Sequence, residues 1–189
     1  MNHQQLVRFW SLRNGMTLLF CFLVFSVCAP FSTADTGFDF DGDNRADLSV
    51  FRSQTGVWYV NNSRDGFSAF RFGQDGDQPV AQDYDGDGKA DAAVYRSGVW
   101  YRLKSSTNTW DVIQFGQIDD VPSPADFDGD KKADIAVFRP STGQWHRLLT
   151  LTNSYSVSSF GKNGDVPVPA DFDGDSRADI AVFRPENGT

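Results

Sequence analysis

One acidic pattern, repeated four times, limits what this chain can fold into. Asp126-Phe127-Asp128-Gly129-Asp130-Lys131-Lys132-Ala133-Asp134 carries aspartates at positions 1, 3, 5 and 9 of a nine-residue stretch. The same offsets recur in Asp39, Asp41, Asp43 and Asp47, in Asp83, Asp85, Asp87 and Asp91, and in Asp171, Asp173, Asp175 and Asp179. Successive first aspartates lie 44, 43 and 45 residues apart. Self-similarity at that period marks an array of structural units that bury their apolar faces by stacking on neighbours.

Each copy continues in the same way. An apolar segment follows the acids: Leu48–Arg52, Ala92–Arg96, Ile135–Arg139 and Ile180–Arg184. Its arginine always stands thirteen residues after the first aspartate. A short Gly-containing turn leads to a second segment around Trp58, Trp100 or Trp145, and a third ends in Phe72-Gly73, Phe115-Gly116 or Phe160-Gly161. The unit is read as closing on Asp77-Gln78-Pro79, Asp120-Val121-Pro122 or Asp165-Val166-Pro167. Short β-branched and aromatic runs between Gly, Pro, Ser and Asn turns predict strands, and no helical spacing appears after residue 34. Four strands in about 44 residues predict an all-β, β-propeller-type array of four-stranded blades. About three and a half copies are present, so the ring is expected to be incomplete and the chain a fragment of a larger propeller. A β-sandwich or open β-array is the competing architecture.

The acids are chosen for chemistry rather than for solubility. Of twenty-five acidic residues only Glu186 is not an aspartate. Hard oxygen donors at alternate positions of a tight loop suit Ca²⁺, which takes six to eight oxygens in a flexible shell. The competing reading is an Asx-turn network without metal. Four carboxylates crowded into one loop repel one another, which favours the cation. An EF-hand does not fit, because position 12 is a valine in every copy rather than glutamate. Position 6 is Asn44, Gly88, Lys131 or Ser176. Gly and Asn tolerate a left-handed backbone best, so the Asp83–Asp91 loop is expected to be the best site and the third and fourth loops distorted.

The first 34 residues read as a secretory signal peptide. They hold Arg8 and Arg13, no acid, and an apolar run from Met16 to Val27 that is too short to span a bilayer. An uncleaved anchor is the alternative. Both cysteines, Cys21 and Cys28, lie in this segment. The remaining chain, 35–189, has no disulfide to stabilise it outside the cell, a role that bound calcium would fill. It keeps fifteen Lys and Arg against twenty-five acids, a net of −10, which disfavours a nucleic-acid partner. With no cysteine, only His146 and only Glu186, it lacks the usual parts of a nucleophilic or acid–base centre.

The pattern D-x-D-G-D-x-x-x-D, the A-V-F-R strand, the F-G pair and the later proline resemble the FG-GAP or VCBS repeat, and the calcium-loop blades of integrin α-subunit propellers. The resemblance covers residues 38–189. It implies a propeller with Ca²⁺ held by the sixteen aspartates named above. It further implies a secreted or cell-surface module for adhesion, ligand binding or scaffolding; with the usual catalytic parts missing no enzyme is expected, and the expected partner is an extracellular protein or glycan. Open blade edges also invite self-association. Two other readings are a carbohydrate-binding lectin, using the Trp segments or Trp110, and a non-catalytic fragment of a larger secreted enzyme. The repeat arginine is expected to pair with an aspartate such as Asp120 or Asp165, and the Trp residues to be core.

Overall fold

The computed structural model describes residues 38–189, so the signal-peptide reading of 1–34 lies outside the described residues. Each blade is built from one segment pattern. The first sheet comprises β1 (Leu48–Arg52), β2 (Val57–Asn62) and β3 (Gly66–Arg71), in that spatial order. The second runs β4 (Gln78–Pro79), β5 (Ala92–Arg96), β6 (Val99–Leu103) and β7 (Trp110–Gln114). The third repeats it with β8 (Val121–Pro122), β9 (Ile135–Arg139), β10 (Gln144–Leu149) and β11 (Ser154–Ser159). Strands β12 (Val166–Pro167) and β13 (Val182–Phe183) begin a fourth. All pairings are antiparallel, and no α-helix occurs among the described residues. The all-β, propeller-like architecture read from the repeat is thus the one observed.

One boundary moves. The Asp-x-Pro segment does not close a unit but opens the next sheet: Pro79 pairs with Val94, Pro122 with Val137 and Pro167 with Val182. The aspartate loop therefore lies inside a blade, joining its first two strands. Proline has no N–H to give a ladder, so it belongs on the edge strand where these segments sit.

In the second and third sheets the apolar strand is buried on both faces because each of them is sandwiched between two others. Ala92 and Val94 pack towards Trp58 of the preceding sheet. Their neighbours Ala93 and Tyr95 pack with Trp100 against Ile135 and Val137 of the following one. Phe138 and Trp145 repeat the arrangement against Ile180 and Val182. This is why β5 and β9 read as continuous apolar runs rather than alternating ones. On β1 the corresponding outer residues Leu48 and Val50 remain 76% and 65% exposed. Trp58, Trp100 and Trp145 are essentially inaccessible, and each indole N–H donates to the carbonyl of Phe72, Phe115 or Phe160 at 2.8–3.0 Å. At ~25 cal/mol per Å², burying 150–250 Å² of one such ring is worth about 4–6 kcal/mol as an upper bound. A sugar platform on the Trp strands is therefore not available; these rings are the core.

Candidate metal centre

The four loops share one geometry, built from the first aspartate outwards. Both oxygens of Asp126 accept backbone N–H groups, from Gly129 at 2.6 Å and Lys131 at 2.7 Å. Asp39, Asp83 and Asp171 do the same with positions 4 and 6 of their own loops. The ninth aspartate faces the other way. Asp134 takes the Phe127 N–H at 2.9 Å on one oxygen and the Thr150 N–H at 2.6 Å on the other. Asp47 and Asp91 hold Phe40 and Ser63, and Tyr84 and Ser105, in the same way. The fifth aspartate caps the position-7 N–H and, in the first three loops, accepts the hydroxyl of Ser63, Ser105 or Thr150. Those hydroxyls escaped the sequence reading, although a signal existed: each stands five residues after the blade's tryptophan.

Position 6 adopts a left-handed backbone in every copy: Asn44 at φ 64°, Gly88 at 84°, Lys131 at 68° and Ser176 at 68°. The expected distortion of the third and fourth loops does not occur. Their turns keep the common shape because the Asp126 and Asp171 carboxylates pull in the N–H of Lys131 and Ser176 at 2.7 and 2.9 Å. The strain is absorbed, at about 1 kcal/mol for a non-glycine residue.

The loops also stack on one another. The N–H of Ala90 donates to the Asp39 carbonyl, Ala133 to Asp83 and Ala178 to Asp126, at 2.6–2.7 Å. The aliphatic stem of Lys132 lies over Gly86, where a Cβ would come within 2.8 Å of it. Lys89 covers Gly42 and Arg177 covers Gly129 in the same manner. In the first three loops the glycine at position 4 is thus required twice, for its positive φ and for the side chain that crosses it.

Carboxylate oxygens converge in four groups, each within 4.8 Å: Asp39, Asp41 and Asp43; Asp83, Asp85 and Asp91; Asp126, Asp128 and Asp134; Asp171, Asp173 and Asp179. Asp47, Asp87, Asp130 and Asp175 lie outside these trios and serve the backbone as described. The donor set is all oxygen, which fits a hard cation such as Ca²⁺. A second observation points the same way. Oδ1 of Asp41 and Oδ1 of Asp128 are buried without a hydrogen-bond donor, a costly state for a carboxylate oxygen unless a cation meets it. Burial pushes the Asp91 and Asp134 carboxyls up to about 6, with Asp85 and Asp128 nearby adding to the effect. Burial raises Asp83 as well.

A second set of aspartates is satisfied from within. Arg96 grips Asp77 with two bonds of 2.6 and 2.8 Å, Arg139 grips Asp120 at 2.8 and 2.8 Å, and Arg184 grips Asp165 at 2.7 and 2.8 Å. These are the repeat arginines in the structural role expected of them. Among the described residues Arg52 has no such partner, and it lies over the Tyr59 ring. His146 is buried, with Nδ1 at 2.5 Å from the Tyr155 hydroxyl, as a strand residue in the slot of Tyr59 and Tyr101. Trp110 stays 65% exposed.

Blades sandwiched in series and joined by stacked aspartate loops define a β-propeller-like repeat array. Residues 126–182, from the first acid of the third loop to β13, match the family model of the FG-GAP-like repeat. No curated protein and no solved structure matches the chain. Among the described residues no helix is long and apolar enough to cross a membrane.

Proposed function

We propose that this chain is an extracellular, calcium-loaded repeat module that binds or scaffolds and carries out no reaction of its own. The observation that carries the calcium reading is the pair of buried, donorless Oδ1 atoms of Asp41 and Asp128, each inside a carboxylate trio. Bound Ca²⁺ would supply positive charge there and tie each loop to the strand that follows it. Asp39, Asp41 and Asp43, Asp83, Asp85 and Asp91, Asp126, Asp128 and Asp134, and Asp171, Asp173 and Asp179 would hold it, with water completing the shell. The non-enzymatic reading rests on the side chains at hand. The loop acids recur too regularly for one active centre, and His146 is committed to Tyr155. An extracellular setting is supported by the FG-GAP-like repeat and by the leader-like first 34 residues.

Calcium titration calorimetry on the full chain tests the reading. The expected result is saturable binding of up to four ions per chain, reversed by chelator. Absence of binding at millimolar calcium overturns it.

A further inference from the structure

Neighbouring blades meet by one recipe, and the chain carries an unused copy of each half of it. At every internal joint two aromatic residues of one blade face the next: the residue at loop position 2 and the residue twelve after the first aspartate. They receive the residues nine and eleven after the first aspartate of the following loop. Tyr84 and Tyr95, together with Val80, cluster in this way with Ile135 and Val137. Phe127 and Phe138 cluster with Ile180 and Val182, and Phe40 and Phe51 with Ala92 and Val94. The same positions are bare on the outer faces of the first and fourth sheets. Leu48 and Val50 stand where Ile135 and Val137 stand, and Tyr59 and the 71% exposed Phe67 continue their face. Val168, Phe172 and Phe183 stand where Val80, Tyr84 and Tyr95 stand, and Phe172 is 67% exposed.

Exposed apolar surface alone would accept many partners. Two further features of the internal joints narrow the choice. The N–H at loop position 8 donates to the position-1 carbonyl of the preceding loop, as Ala90 does to Asp39. The matching donor on the first loop is the Ala46 N–H and the matching acceptor on the fourth is the Asp171 carbonyl; among the described residues neither has a backbone partner. The position-7 side chain also crosses the position-4 glycine of the preceding loop, as Arg177 crosses Gly129. The matching pair is Arg45, which is exposed, and Gly174, which has open space above it. Each unused half thus finds its complement on the opposite face of the same chain. We propose that the chain associates with a second copy of itself head to tail, the first sheet of one copy seating on the fourth sheet of the next in the register of the internal joints. A generic apolar partner would cover Leu48 and Phe172 but would not match the Ala46 N–H, the Asp171 carbonyl and the stem of Arg45. The two faces differ, so the contact is heterologous and builds a ring or a row of copies. It uses apolar packing and backbone groups, and does not rest on the calcium reading.

Sedimentation velocity of the full chain over a concentration series tests this. The expected result is a mass that grows to two copies or more, with a Kd below about 100 µM. Leu48→Lys and Phe183→Lys each place a charge on one face at an exposed position, so each should leave the thermal midpoint of the dilute chain in place and weaken association at least about tenfold. An equimolar mixture of the two variants should recover one contact of parental strength and stop at two copies, because the first sheet of the Phe183→Lys chain and the fourth sheet of the Leu48→Lys chain are intact. A parent that stays single up to about 100 µM overturns the second copy as occupant. Association that survives either substitution overturns these faces, and a mixture that fails to pair overturns the head-to-tail arrangement.

Discussion

Asp120 and Asp134 belong to the same blade, are both almost fully buried, and live in opposite electrostatic worlds. Asp120 meets a guanidinium in a two-bond grip that needs nothing further. Asp134 shares its surroundings with Asp126 and Asp128 and has only neutral backbone and hydroxyl donors. The consequence is visible in the carboxyls themselves. The Arg184 guanidinium holds Asp165, which stands in the place of Asp120, at about 2, while burial pushes Asp134 and Asp91 to about 6. One residue type therefore serves as an internal clasp where a cation is built in, and as a demand for an external cation where none is.

Calcium is the strongest way to break that contrast. If each site has a tenfold excess of calcium over its Kd, binding stabilises by about 1.4 kcal/mol per site, or about 6 kcal/mol for four independent sites. Thermal unfolding should then shift upward by roughly 10–20 °C and return with chelator. An unchanged midpoint would sink the calcium reading and leave the loops as Asx networks.

The clasp should be nearly as costly to lose and indifferent to calcium. Asp120→Ala leaves Arg139 largely buried without its partner, a loss of about 3–5 kcal/mol. Denaturant melts with and without calcium should give the same difference. A calcium-dependent difference would mean that clasp and loop are one network.

pH separates the two classes in sign. A carboxyl raised in the folded state contributes stability below its unfolded value, near 3.8, and loses it as pH rises through the folded value. Without calcium, Asp91 and Asp134 should thus weaken the fold as pH climbs from about 4 to about 6. Asp165 is depressed, so its contribution is present above about 4 and fades as pH falls towards about 2. Calcium should reverse the first trend, since protons compete with the ion for the same oxygens. Stability measured against pH in chelator and in calcium reads both slopes.

The smallest effect concerns a single dihedral. Lys131→Gly keeps the φ of 68° without a Cβ, and should stabilise the chain by up to about 1 kcal/mol before unfolded-state entropy is subtracted. A loss of stability would show that the Lys131 side chain contributes more than the turn costs.

Much of this was legible along the chain. The period, the strand content and the acid spacing all follow from local rules: alternation, turn residues and ligand chemistry act over a few residues, and four copies confirm one another. The blade's register was not fully legible. Pro79, Pro122 and Pro167 are adjacent to the third strand in sequence, and only the ladder shows that they pair forward with Val94, Val137 and Val182. The trios were not legible either. Spacing nominated four acids per loop, but Lys132 and Thr150 draw the oxygens of Asp130 while Asp126, Asp128 and Asp134 converge, so the members of a repeated motif part company in space.

Composition and periodicity were enough to establish a chain of aspartate-loop blades, because each blade is a local construction repeated. What lies between blades was decided only in three dimensions. The stacking of Lys132 over Gly86 and the packing of Val94 against Trp58 depend on side chains some 40 residues apart meeting across a packed interface.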